Sequence, residues 1–415
     1  MATSDTLNFI EKPMIDEIIK KFEYHEFQCR FTNLNSPGDE ISITINQEGL
    51  FTLPSEAYTH VEGRLLKAEG TYYANTDAVT LVNNCIMYLF NRAEYSLSGQ
   101  SVKNIINLGR ATTILGLFKY PNYFQNVQGM NQIWYKDSST SASIAANAGF
   151  AARQSYLIQS PNAKRKFSFC VPLIHIFGFY DTYDKVVYGL THTLTLIRDG
   201  NNNAIFKALG AALDGKVNLT KVSLFMPHVK PHLEFELKLN KEIESKVPLP
   251  VSYSERHCQF ASVPRNTDFT WTLNITSCST RHRFIIVGFQ TNKNGSQEQN
   301  SAIFDHCDMK NMYVTLNSQS YPKIVNYNLS FPDQQFSRAY RDASLFTKKF
   351  YGMNDLLTQC SINLSEYKDL YPLFVFDVSK QSAVLKTSII NVQFKTKFNT
   401  AVPANSMGYA VVISD

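Results

Sequence analysis

The sequence predicts an all-β chain built as two similar β-sandwiches in tandem, with short helices in the loops. Three observations predict it. Many short segments alternate apolar and polar residues. One set of segments occurs twice in the same order. A proline-broken stretch falls near the middle of the chain. The repeat begins at Ser96-Leu97-Ser98-Gly99-Gln100-Ser101 and returns as Thr315-Leu316-Asn317-Ser318-Gln319-Ser320. A segment of helical spacing follows each copy. After the first, Val102, Ile105, Ile106 and Gly109 lie three or four apart, with Ser101 as N-cap. After the second, Phe336, Ala339, Tyr340, Ala343, Thr347 and Phe350 repeat the spacing, and Gly352 supplies a C-terminal stop. A strand opening Pro-Leu then closes each block, at Pro172 and at Pro372.

Length and composition set the bounds. The 415 residues allow two domains of roughly 150–200 residues each. Charged residues make up 18%, and the net charge of +5 is too small to argue for specific nucleic-acid recognition. The basic run Lys164-Arg165-Lys166 reads as a solvated loop. Seven cysteines, an odd number without any CxxC, argue against a disulfide framework and for folding in a reducing compartment. The N-terminus lacks a basic start followed by an apolar core, so secretion is not expected. The longest nearly apolar run, 170–180, is too short for a membrane span.

In chain order, residues 1–24 read as a helical arm. Pro13 suits a first turn, and Ile15, Ile18, Ile19 and Phe22 then share one face. These four are the candidate assembly residues. The arm either joins neighbouring subunits, in which case it is dispensable for subunit stability, or packs on its own domain. Strands are expected at 41–45, 58–68, 75–82, 167–179, 192–197 and 217–226. Within the polar stretch 119–166, Ser138 to Gly149 reads as an exposed loop, open to proteases nearby at Lys136 or Arg153. A short helix is expected at 204–213. Pro227 and Pro231 place a boundary at Val229, dividing the chain into 25–229 and 230–415. In the second unit, 232–239, 268–275, 283–289, 391–394 and 409–413 read as strands. About eight strands per unit in paired sheets make two jelly rolls.

The run Val82-Asn83-Asn84-Cys85-Ile86-Met87-Tyr88-Leu89-Phe90, continuing to residues 96–102, resembles a block of the double jelly-roll major capsid proteins of Polinton/Maverick elements and adintovirus-like animal viruses. Residues 224–229, 316–322 and 373–381 resemble further blocks in the same order. The resemblance implies a double jelly roll standing normal to an icosahedral virion shell. It implies a pseudo-hexameric homotrimer, loops outside, and N-terminal arms linking neighbours inside. The implied partners are neighbouring capsomers and a single jelly-roll penton protein.

Catalytic chemistry is not encoded in any familiar motif. A nucleophile elbow, a P-loop, HExxH and a Gly-rich dinucleotide turn are all missing from the sequence. His228 and His232 have helical metal-pair spacing, but Pro227 and Pro231 oppose a helix there. His257, Cys258, Cys278 and His282 read as strand residues, and Asp305-His306-Cys307-Asp308 as a turn. No catalytic, cofactor-binding or metal residue is therefore assigned, and no cofactor. The alternatives to a capsid subunit are a domesticated host copy and a jelly-roll module binding carbohydrate or protein. A cupin-like enzyme is a third class.

Overall fold

The computed structural model describes residues 18–29, 33–46, 49, 51–159, 162, 164–210, 213–245, 251–274, 281–317, 319–321, 326–352, 361–380 and 391–415. In the first half these form β1 (Ile19–Gln28), β2 (Glu40–Ile45), β3 (Phe51–Thr52), β4 (Tyr58–Lys67), β5 (Val79–Leu81), α1 (Cys85–Tyr88), β6 (Phe90–Leu97), β7 (Gln100–Ile106), α2 (Leu108–Lys119), α3 (Ala148–Ile158), β8 (Lys166–Pro172), α4 (Gly178–Thr182), β9 (Val187–Tyr188), β10 (His192–Arg198), β11 (Ile205–Lys207) and β12 (Gly215–Pro231). The second half holds α5 (Leu233–Glu244), β13 (Glu255–Val263), β14 (Asp268–Leu273), β15 (His282–Thr291), β16 (Met309–Leu316), β17 (Gln319–Tyr321), α6 (Ser337–Tyr351), α7 (Leu364–Asp369), β18 (Phe374–Asp377), β19 (Val392–Phe398) and β20 (Ser406–Ser414).

The strand order repeats. In the first unit one sheet runs β1-β12-β4-β8, extended past β12 by β3 and β9, and faces the sheet β2-β10-β6-β7. The second unit has β13-β20-β15-β18 facing β14-β19-β16-β17. Eight strands thus correspond one to one, from β1 with β13 to β12 with β20. Every pairing is antiparallel, and among the described residues no strand of one unit pairs with a strand of the other. Each unit is a jelly roll. Alternation explains the interiors: Ile41, Ile43 and Ile45 of β2, and Leu194 and Leu196 of β10, are buried on one face. The repeated turn is the β6–β7 hairpin, where Ser98 and Gly99 both take positive φ (46° and 81°). That is the backbone twist a two-residue hairpin loop needs. In the second copy Asn317 also has positive φ (44°), and Ser318 lies outside the described residues.

Several expected elements are corrected. Residues 100–106 form a strand, and the helix begins only at Leu108, because hairpin pairing with β6 outweighs a weak helical spacing. In the first unit the strand ends at Pro172 rather than opening there, since proline offers no ladder donor. The segment expected as a helix at 204–213 contains β11, which pairs with β5. Residues 233–244, expected to begin as a strand, form the helix α5. The boundary at Val229 falls inside β12, which continues to Pro231 along β1.

The arm is also corrected over the part described. Ile19 to Gln28 form the first jelly-roll strand, paired with β12 from Ser223 to Pro231. Ile18 and Ile19 stand at its start and Phe22 within it, so they share no helical face. Ile15 lies outside the described residues. The insertion 119–166 is only partly open: Lys136 is 8% exposed and Arg153 is fully buried, so neither is an accessible cleavage point.

Candidate assembly surfaces

The same sheet face behaves differently in the two units. In the second unit the outward side of β13 and β20 is covered by the first unit. The cover is α2, whose residues Leu108 to Phe118 are all buried. Glycine lets α2 pack closely on its own unit: a Cβ at Gly109 would stand 2.5 Å from the Tyr88 ring, and one at Gly116 2.5 Å from Trp134. Arg110 of α2 lies 4.8 Å over the Tyr409 ring of β20 and donates to Gln290 (2.9 Å) and Asn294 (3.1 Å). The Tyr88 hydroxyl donates to the Ser301 carbonyl (2.7 Å). Asp181 of α4 binds Lys119 (2.6 Å) and Arg256 of β13. Lys103 of β7 faces Glu255 (3.7 Å), and burial pushes its ammonium down to about 8 against the pull of that carboxylate. Charged pairs taken out of water in this way hold the seam in one register; broken singly, they leave a buried charge.

In the first unit the equivalent face is open. Tyr58 and Phe225, direct partners across β4 and β12, stack at 4.8 Å. Tyr24 of β1 lies 5.6 Å from Tyr58, and Phe22 5.5 Å from Tyr24. The rings form a row across three strands, with Phe22 42% and Tyr24 44% exposed. Ile18 (51%) and Ile19 (37%) are exposed at the strand's start. Of the four candidate residues, Phe22 is the one that stands in the row. Sequence reasoning missed Tyr24, Tyr58 and Phe225. Their spacing carries no local signal, because the strands that align them are far apart in the chain.

Several of the histidines and cysteines flagged in the sequence have protein partners. His228 stacks on His25 at 4.1 Å. His282 bonds the Ser414 hydroxyl (2.8 Å), and burial holds its imidazole down at about 4. Burial pushes the Cys258 thiol up to about 12. Asp305 pairs with Lys293 and accepts from the Thr291 N–H (2.8 Å), while His306 Nδ1 accepts from the Asp308 N–H (2.8 Å). Among the described residues no three His, Cys, Asp or Glu side chains are placed to hold a metal; Cys278 lies outside them. No helix among the described residues is long and apolar enough to cross a membrane.

Solved structures share this architecture. The chain aligns with the cryo-EM structure of the Sputnik virophage at TM-score 0.59 and 11% identity, covering 100% of this chain and 90% of that one. It aligns with the Faustovirus major capsid protein at TM-score 0.59 and 10% identity, covering 98% and 91%. For the mavirus major capsid protein the values are 0.54 and 11%, covering 99% and 90%. At such identities the likeness is one of fold. No curated protein matches the sequence. The family described as the double jelly roll-like domain matches residues 79–415. With more than half of its length matched and the strand order repeated, this chain belongs to the double jelly roll-like domain family.

Proposed function

We propose that the chain is the major capsid subunit of an icosahedral virion and that it acts as a homotrimer. The observation that carries this reading is the open aromatic face of the first unit. Inside one chain, the first jelly roll covers the outward β13–β20 face of the second. The equivalent β1–β12–β4 face of the first is left with its rings half-exposed. A head-to-tail contact of this kind, repeated between chains, seats the second unit of one copy on the first unit of the next. Such a heterologous contact forms a ring if its rotation closes. Six near-equivalent jelly rolls close it with three chains and give a six-lobed tile.

The Faustovirus and mavirus major capsid proteins support the capsid role, since they share this fold. The sequence blocks favour Polinton/Maverick or adintovirus-like relatives. Neighbouring capsomers and a penton protein are the partners in this reading, and the virion is its location. Residues 18–231 form one unit and 255–415 the other. Ile18, Ile19 and Phe22 act as part of the inter-chain surface.

Negative-stain electron microscopy of the purified protein tests the reading. Six-lobed particles with threefold averages are expected. Two-lobed single chains at micromolar concentration would overturn it.

A further inference from the structure

We infer that a cleft between the two jelly rolls is a binding site for a neutral oligosaccharide. It does not rest on the capsid reading. The cleft has a volume of about 740 Å³ and takes one wall from the insertion of the first unit and the other from α6 and α7 of the second. That volume is in the range of about 300–1,000 Å³ typical of small-ligand sites. Its frame is rigid. Lys136 donates to Glu366 (2.9 Å) and to the Ser361 carbonyl, and the Tyr371 hydroxyl accepts from the Asp137 N–H (3.1 Å). These bonds cross from one unit to the other, so the cleft exists only because the seam is formed.

Its lining specifies the ligand class. Tyr123, Tyr135 and Tyr340 supply aromatic rings, and Asn122 and Asn126 supply planar amides. The lining carries two lysines, Lys136 and Lys348, and two carboxylates, Asp137 and Glu366. Lys136 is held by Glu366, and Asp137 binds Arg153 (2.7 Å) and Asn147 (2.8 Å). These pairs leave the first-unit wall without a free counter-charge for a phosphate, a sulfated sugar or a sialic acid. On that wall the side chains of Asn122, Tyr123 and Asn126 are exposed. Tyr123 is 79% exposed on the rim, and Val127 of the same turn is 73% exposed. An amphipathic ring left in water beside paired amides suits a pyranose, whose C–H face stacks on the ring while its hydroxyls pair with amides.

The test is saturation-transfer NMR and calorimetry on the full chain with lactose, N-acetyllactosamine, maltotriose and chitotriose, and with sialyllactose and a heparin disaccharide as charged probes. One or more neutral sugars should bind. Tyr123→Ala and Asn126→Ala, both at exposed positions, should each weaken that binding at least tenfold, and Tyr123→Trp should retain it. Three results would each overturn the assignment. One is that every neutral sugar binds more weakly than about 10 mM. Another is binding that survives both alanine substitutions. The last is tight binding of the charged probes alone.

Discussion

In the second jelly roll β20 turns Tyr409 outward beneath Arg110, and the strand from Gly408 to Ser414 is buried on both faces. In the first, the corresponding β12 turns Phe225 outward against Tyr58, and this ring and the neighbouring Tyr24 keep contact with water. Strand order and pairing are the same in both. The jelly-roll interior therefore fixes the fold, while the outward face is free to diverge. One copy of that face became a permanent seam inside the chain. The other stayed apolar and open. Aromatic rings exposed in a row mark a partner surface more often than scattered apolar residues do.

The largest expected effect comes from the larger insertion, that of the first unit. Arg153 and Asp137 form an ion pair with both side chains fully buried, and Arg153 also donates to the Leu81 carbonyl (2.9 Å). Arg153→Ala should cost on the order of 3–5 kcal/mol in denaturant unfolding, because it strands a buried carboxylate. A loss under about 1 kcal/mol would mean that the insertion is not welded into the first unit. A smaller effect should follow where α2 packs on its own unit. Gly116→Val drives a side chain into Trp134 and should cost about 1–3 kcal/mol. The same change at Gly200, where a Cβ meets nothing within 4 Å, should stay within about 0.5 kcal/mol. Equal costs at the two glycines would contradict close packing around α2.

Acid should weaken both units. Burial holds His175 at about 3 and His192 and His282 at about 4. Each folded-state value lies below the unfolded value of about 6.5. The stability these neutral rings carry is whole above that value and is lost as pH falls from about 6.5 toward 4. Unfolding midpoints measured across this window should fall steadily with acidification. A flat profile would contradict the burial of these rings. His192→Phe should remove that ring's part of the loss and leave those of His175 and His282.

Much of the fold was legible in the sequence. Strict alternation marked Ile41, Ile43 and Ile45, and the helical stripe ending at Gly352 marked α6, because those signals are local. What misled was local pattern overruled by distant pairing. Ile18, Ile19 and Phe22 suggested a helix until β12 offered its edge. Leu233, Phe235 and Leu237 alternate like a strand, yet Glu234 and Lys238 form an i,i+4 pair (2.9 Å) on the helix α5. The consequence for the arm is concrete. Deleting residues 1–24 removes more than half of β1 and strips partners from β12, so it should lower the unfolding midpoint rather than leave it unchanged. The aromatic row and the inter-unit cleft were not legible, since their residues converge only after both jelly rolls have formed.

Size-exclusion chromatography with light scattering, applied to the unaltered chain and to Phe225→Asp, tests the central claim most directly. Phe225 is partly exposed on the open face of the first unit and stacks on Tyr58, so a carboxylate there should lower the unfolding midpoint modestly and leave the chain folded. It should also place an unpaired charge in the proposed inter-chain contact, where desolvation is costly. The unaltered chain should elute at about three times 47.1 kDa and the variant as a folded single chain. An unaltered chain that is monomeric, or a variant that keeps the threefold mass, would contradict the account.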